Sequence, residues 1–117
     1  MSKKKNEAEE YFVNITEDAE KDLKAIIRYI AKNNPQTAIK INEKIQNKIY
    51  SLDHFPFRGS YIPELLVFNI KDVRQLIEHP WRIIYKICDK TVDVIAIVDS
   101  RRDLHSLLIN KFLSFDS

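Results

Sequence analysis

Three consecutive β-strand patterns between Val73 and Leu104 constrain the fold more than any other part of this 117-residue chain. β-Branched and aromatic residues dominate each segment, and the breaks at His79-Pro80 and Asp89-Lys90 are short and polar. Connections this short join antiparallel neighbours. The stretch therefore predicts a three-stranded antiparallel meander.

The two breaks also predict the register of the meander. Pro80 cannot adopt the positive φ that the second position of a type I′ turn requires, so we expect a four-residue loop from Glu78 to Trp81. Asp89-Lys90 suits a two-residue turn. These choices place Ile87 opposite Val92.

With this register the two faces of the meander differ in character. The first face is apolar and is expected to be the core face: Leu76, Ile83, Tyr85, Ile87, Val92, Val94, Ala96 and Val98. The second face is mixed: Val73, Gln75, Ile77, Arg82, Ile84, Lys86, Asp93, Ile95 and Ile97. We expect this second face to be only partly covered, with Lys86 paired to Asp93 across the strands. Arg74 is expected to be a structural arginine opposite Tyr85.

Two helical patterns precede the meander. Thr16 is a candidate N-cap for a helix over residues 17–32, and Asn33-Asn34-Pro35 ends that helix. A second helix is expected over residues 36–53. The apolar residues repeat at helical spacing in both segments: Ala19, Leu23, Ile26, Ile27, Ile30, then Ala38, Ile41, Ile45, Ile49 and Leu52. The short linker predicts an antiparallel helical hairpin.

The remaining segments complete an α+β domain. Residues 11–15 form a short edge-strand pattern, residues 62–66 a helical turn, and residues 103–113 a short amphipathic C-terminal helix. Residues 1–10 are charged and are expected to form a flexible tail. The predicted order is β-α-α-β-β-β-α: a small antiparallel sheet packed against a helical hairpin, within one domain spanning residues 11–117.

Composition excludes several classes of function. The net charge is only +2, which does not favour nucleic-acid binding on global electrostatics. A single glycine excludes glycine-rich phosphate loops, and a single cysteine, Cys88, permits no internal disulfide. No two histidines are close in sequence, so we expect neither a metal nor another cofactor. No apolar run is long enough to span a membrane, which favours a cytoplasmic protein.

The meander and its flanking motifs resemble the RelE/ParE toxin superfamily. The resemblance is carried by two helices, Pro63-Glu64-Leu65, Arg74-Gln75-Leu76, the strand from Trp81 to Tyr85, and the closing motif from Arg101 to Leu104. It covers residues 11–113, nearly the whole chain. It implies the toxin of a bacterial type II toxin–antitoxin module, silenced by a cognate antitoxin, with which it would form a hetero-oligomer.

The superfamily contains two main activities, and the residues favour one of them. RelE-like members cut messenger RNA on the ribosome, whereas ParE-like members poison DNA gyrase. RNA cleavage needs proton-transfer groups and cations near the phosphate. Arg82 and Arg102 match the nuclease arginines, but Val73 and Gln75 occupy the lysine positions. The resemblance is therefore closer to ParE-like members, with gyrase as the expected target.

Histidines keep the nuclease alternative open. A ribosome-dependent endoribonuclease would use Arg82 and Arg102 together with His79 or His105. Each histidine also has an ordinary interpretation as a surface or capping residue. A toxin that binds its antitoxin but has lost its activity is a third alternative.

A disordered antitoxin segment is expected to wrap the domain, with a helix along the hairpin and an extended stretch beside Arg82. Trp81 is either a core residue at the end of the sheet or an exposed anchor for a partner. The arginines are either a cationic patch or internally paired. The predicted partner contacts are Arg82, Arg101, Arg102, Trp81, Ile26, Ile30, Ile41 and Ile45.

Overall fold

In a computed structural model, the chain forms a five-stranded sheet with a helical hairpin packed on one face. The structure describes residues 10–101, 106–108 and 110. The elements follow the order β1 (Phe12–Ile15), α1 (Glu17–Ala31), α2 (Pro35–Tyr50), a 3₁₀ turn (Ser51–Asp53), β2 (Ser60–Tyr61), α3 (Pro63–Leu66), β3 (Val73–Glu78), β4 (Trp81–Cys88) and β5 (Thr91–Asp99). Residues 106–108 and 110 are helical. The predicted α+β fold class is confirmed.

Local capping explains where the two long helices begin. The Thr16 hydroxyl accepts a hydrogen bond from the Ala19 amide at 3.2 Å, which satisfies one of the free N–H groups of the first turn of α1. Asn34 caps α2 in the same way, through the Thr37 amide at 3.1 Å, and Pro35 follows it at the first helical position. Both predicted helices are confirmed, although the last residues of the second form a 3₁₀ turn.

The sheet has the strand order β1-β5-β4-β3-β2. The antiparallel meander β3-β4-β5 is confirmed, but β1 runs parallel to β5, so the sheet is mixed rather than wholly antiparallel. No tight turn joins β1 to β5. The direction of β1 is therefore set by the path of the helical hairpin that follows it. β2 was not predicted, because two residues are too few to carry an alternating pattern.

The turn between β3 and β4 is shorter than predicted. Glu78 pairs with Trp81, so only His79 and Pro80 lie in the turn, and the four-residue loop was wrong. Proline occupies the third position of this turn, and the His79-Pro80 peptide is cis. The predicted register is confirmed, because Ile77 pairs with Arg82.

A β-bulge in β5 changes the faces of its second half. Ile84 pairs with Ala96 whereas Tyr85 pairs with Val94, so Ile95 is an extra residue on one strand. One extra residue reverses the two-residue alternation of side chains beyond it.

The predicted faces of three β5 residues were wrong for this reason. Ile97 packs in the core beneath the helices, although it was assigned to the mixed face. Ala96 and Val98, assigned to the helix-covered face, pack on the opposite side. Before the bulge, Val92 and Val94 lie on the helix-covered face as predicted.

A second core covers much of the face that was expected to be partly exposed. Val73 and Ile84 on this face are both fully buried. They pack with Leu65 of α3 and with Leu108 of the C-terminal segment. The prediction of a partly covered face was wrong because α3 and the C-terminal segment, which are distant in sequence from the meander, were not assigned to this face.

The segment before β2 carries the chain around the edge of the sheet. On the helix-covered face the Tyr85 hydroxyl donates to the Pro56 carbonyl at 2.8 Å and accepts from the Gly59 amide at 3.0 Å. A Cβ at Gly59 would lie 2.5 Å from this hydroxyl, so the close approach requires glycine. Arg74 donates to the Gly59 carbonyl at 2.8 Å and lies over the Tyr61 ring, which confirms its structural role.

Candidate partner-binding surfaces

An apolar groove of about 750 Å³ lies between the helical hairpin and the ends of β4 and β5. We call it the hairpin–sheet groove. Ile26 and Ile30 of α1, Ile41 of α2, Trp81 at the start of β4 and Arg101 after β5 all line it. Five residues predicted as partner contacts are therefore neighbours, although they are widely separated in sequence.

Helix geometry explains the apolar walls of this groove. Ile26 and Ile30 are four residues apart and lie on the same side of α1. Tyr29 also lines the groove and is 72% exposed. Ile45 differs from the other predicted contacts because it is fully buried in the core. Ile45 is a residue of α2 that packs in the core and does not line the groove.

Trp81 combines the two interpretations that the sequence left open. Its side chain packs against the helix-side core and also forms part of the hairpin–sheet groove. A partly buried tryptophan can present apolar surface to a partner without first reorganising.

Arg101 lies at the rim of the groove and is held by Asp99. Its Nε donates to Asp99 Oδ1 at 2.8 Å, and its side chain is 78% exposed. The hydrogen bond that Arg101 donates to Asp99, and then the charge of Asp99, raise the pKa of the Arg101 guanidinium. Arg101 therefore stays cationic, and a partner carboxylate would compete with Asp99 for it.

Arg82 lies on the opposite face of the sheet and is also engaged internally. Its two terminal nitrogens donate to the two carboxylate oxygens of Glu64, each at 3.2 Å, and one also donates to Gln75 Oε1 at 3.0 Å. Only 17% of the Arg82 side chain and 25% of the Glu64 side chain are exposed. This bidentate pair neutralises an arginine that the nuclease alternative needs for the RNA phosphate.

The two positions that hold lysines in RelE-like nucleases also lack free cations in this chain. Val73 is fully buried, and the Gln75 side chain is bonded to Arg82. Lys86, further along the same face, lies opposite Asp93 as predicted. Its ion pair, however, is with Asp72 at 3.8 Å, and Asp93 accepts a hydrogen bond from Asn14 at 3.2 Å.

The candidate histidines are not gathered at one site. His79 is exposed in the turn between β3 and β4. His54 is exposed after the 3₁₀ turn, and its Nδ1 lies 2.9 Å from Asp53 Oδ1. That hydrogen bond, and then the charge of Asp53, raise the pKa of His54. Arg102 and His105 lie outside the described residues.

Within residues 10–101, 106–108 and 110, one group of side chains has the composition of a metal-ligand set. The ligand atoms of Glu10, Asp53 and His54 lie within 4.8 Å of one another. Histidine spacing could not reveal this group, because Glu10 joins it from a distant part of the sequence. Two of the three residues are exposed, and His54 is already bonded to Asp53.

Glu64 is the functionally informative residue that sequence reasoning missed. It was noticed only as part of the Pro63-Glu64-Leu65 turn. The available signal was an acidic residue in a short helix that must pack near a strand carrying Arg82.

None of the helices that the structure describes is long and apolar enough to cross a membrane.

Comparisons with known proteins agree on the fold. The sequence matches the family described as the ParE toxin of the type II toxin–antitoxin system, parDE, over residues 13–104. The chain therefore belongs to the ParE toxin family, within the RelE/ParE superfamily, and is a type II toxin. No curated protein sequence matches it.

Three solved structures illustrate the similarity. The chromosomal ParDE system of P. aeruginosa aligns with a TM-score of 0.64 and 21% identity, covering 78% of this chain and 97% of the other. The RelBE2 toxin–antitoxin complex of Mycobacterium tuberculosis aligns with a TM-score of 0.54 and 21% identity, covering 77% and 98%. A mutant of the E. coli toxin RelE in the free state aligns with a TM-score of 0.59 and 16% identity, covering 88% and 98%.

Proposed function

We propose that this toxin acts by binding a target protein, DNA gyrase, and not by cutting RNA. The observation that carries the proposal is the engagement of Arg82 by Glu64 and Gln75. Stabilising a phosphorane-like transition state requires cations aimed at the developing charge. In this chain the strand arginine is bonded to a carboxylate instead.

The environment of Arg82 makes exchange with an RNA phosphate costly. The Arg82–Glu64 pair is mostly shielded from water, so opening it would leave a poorly solvated carboxylate behind. Val73 and Gln75 supply no replacement cation or proton-transfer group. The membership in the ParE toxin family agrees with a binding mechanism in the cytoplasm, where gyrase acts.

We also propose that a cognate antitoxin silences the toxin by laying an amphipathic helix in the hairpin–sheet groove. The groove offers isoleucines from both helices and a tryptophan, the arrangement that receives an apolar helix face. Arg101 at its rim can receive an acidic side chain of that helix. Tight binding would require more than this groove alone, so the antitoxin should also cover neighbouring surface.

The target is tested with purified toxin and two parallel assays. In the first, gyrase supercoils plasmid DNA in the presence of increasing concentrations of toxin. We expect loss of supercoiling and accumulation of cleaved gyrase–DNA complexes. In the second, a translating extract is treated with toxin and its messages are mapped by primer extension. Unchanged messages are expected there.

The opposite pattern would contradict the proposal. Cuts in ribosome-bound messages that disappear in the Arg82→Ala variant would assign the nuclease activity instead. Normal growth on induction without antitoxin, with both assays negative, would indicate a toxin that has lost its activity.

Antitoxin binding is tested by calorimetry with matched variants. Trp81→Ala combined with Arg101→Glu should weaken binding by at least about tenfold, because an anchor and a rim cation are both lost. Lys44→Glu on the exposed surface of α2 is the control and should bind normally. Equal affinities for the two variants would exclude this groove as the antitoxin site.

A further inference from the structure

A second groove of about 430 Å³ lies on the outer side of the helical hairpin, next to β1. We call it the outer hairpin groove. Ile15, Leu23 and Ile27 provide an apolar floor, and Tyr50, which is about half exposed, forms one wall. Exposed apolar surface in a groove between two helices is a usual binding site for a segment of a partner protein.

The cations of this groove differ from Arg101 at the rim of the hairpin–sheet groove. Lys24 and Arg28 line it, are both exposed, and are spaced four residues apart on α1. Within the part of the chain that the structure describes, neither forms an ion pair, whereas Arg82 and Arg101 are each bound to a carboxylate. Glu20 also lines the groove, which leaves one net positive charge there.

The remaining polar residues do not fill the groove. The Gln46 amide donates to Asn42 Oδ1 at 3.2 Å, so these two side chains of α2 are bonded to each other. The two unpaired cations therefore border an apolar floor. A ligand that matches this surface needs acidic groups on both sides of an apolar side chain.

The outer hairpin groove is separate from the hairpin–sheet groove. The two share no lining residue. At 100° per residue, Ala25 and Tyr29 lie on one side of the buried stripe of α1, whereas Lys24 and Arg28 lie on the other. One straight helix cannot occupy both grooves.

We propose that the outer hairpin groove binds an acidic amphipathic segment of a protein partner other than the antitoxin. Two carboxylates spaced one helical turn apart would reach Lys24 and Arg28, because side chains at that spacing are about 5–6 Å apart at Cβ. An apolar side chain between them would pack on Leu23 and Ile27. The inference rests on the proposed function only in assigning the other groove to the antitoxin.

The probe is a synthetic helical peptide of about 12 residues, or roughly three turns, with two glutamates four residues apart and leucine and phenylalanine between them. Binding to the whole toxin is followed by amide chemical shifts in NMR spectra. We expect saturable shifts centred on residues 20–28 and 42–50. A peptide with lysines in place of the glutamates should not bind.

Matched charge reversals test the role of the cations. Lys24→Glu with Arg28→Glu should weaken peptide binding by at least about tenfold, since two ion pairs become repulsive contacts. Lys40→Glu with Lys44→Glu is the control, because these residues have the same spacing and are exposed on α2 outside both grooves. Lys24→Gln with Arg28→Gln, checked by circular dichroism, separates loss of binding from loss of folding.

Three results would overturn the proposal: no shifts with the acidic peptide, equal affinity for the lysine peptide, or equal effects of the two charge reversals. The last experiment repeats the peptide titration with the co-purified toxin–antitoxin complex. We expect it to bind the peptide as the free toxin does. Exclusion of the peptide would also overturn the proposal, because the antitoxin would then fill this groove. An antitoxin that fails to bind at all would contradict the proposed function while leaving peptide binding intact.

Discussion

The two faces of the sheet hold their polar residues in different ways. On the helix-covered face, Tyr85 is fully buried and bonded to backbone groups at Pro56 and Gly59. On the other face, Arg82 is partly buried and bonded to the side chain of Glu64. Backbone partners are fixed by the course of the chain, whereas a side-chain partner can rotate away.

This difference assigns distinct roles to the faces. The helix-covered face supports the hairpin and, through it, both grooves. The Arg82 face has its own core, and the charge of Arg82 is balanced by a side-chain pair that is mostly shielded from water. The following predictions test the contrast, from the largest expected effect to the smallest.

Ile83→Ala and Ile84→Ala compare the two cores at neighbouring positions. Both side chains are fully buried, but they point to opposite faces. Each substitution should lower the free energy of unfolding by about 2–5 kcal/mol, because each leaves a cavity. Urea denaturation measures both values. If Ile84→Ala cost no more than a surface change, the second face would not be a true core.

Tyr85→Phe tests the backbone-bonded residue. It removes a donor to the Pro56 carbonyl and an acceptor for the Gly59 amide, both buried, at a cost of about 1–3 kcal/mol. Urea denaturation of the two proteins gives the difference directly. An unchanged midpoint would mean that solvent replaces both bonds.

The Arg82–Glu64 pair is tested by a double-mutant cycle with Arg82→Gln and Glu64→Gln. We expect a coupling energy of about 1–2 kcal/mol, because the pair is bidentate and shielded. Lys86 and Asp72 on the same face form the control pair, at 3.8 Å and more exposed, with an expected coupling below about 0.5 kcal/mol. Equal couplings would remove the basis for treating Arg82 as neutralised.

The exposed pair formed by His54 and Asp53 gives the smallest expected effect. The pKa of His54 is raised above the ordinary value of 6.5 by the hydrogen bond to Asp53 and by the charge of that carboxylate. Any stabilisation is therefore fully present below about pH 6.5 and is lost as pH rises through the folded-state pKa. An NMR titration should show the raised pKa and a return toward its ordinary value in Asp53→Asn. The same pKa in both proteins would contradict this cause.

Much of the candidate site could be predicted from local pattern. Ile26 and Ile30 on one side of α1, Ile41 on the adjacent helix, and Trp81 at the start of a strand follow from periodicity and from the short linker. Their meeting in one groove required only that the hairpin pack on the meander. Arg74 opposite Tyr85 likewise followed from the strand register.

The sequence by itself determined the elements whose causes lie within a few residues. Thr16 and Asn34 cap their helices locally, and the turn at Asp89-Lys90 sets the pairing of β4 with β5. Only the tertiary structure decided the bulge at Ile95, the parallel direction of β1 and the carboxylate that Glu64 brings to Arg82. These features depend on contacts between segments far apart in the chain, and a two-residue or 3.6-residue period carries no information about them.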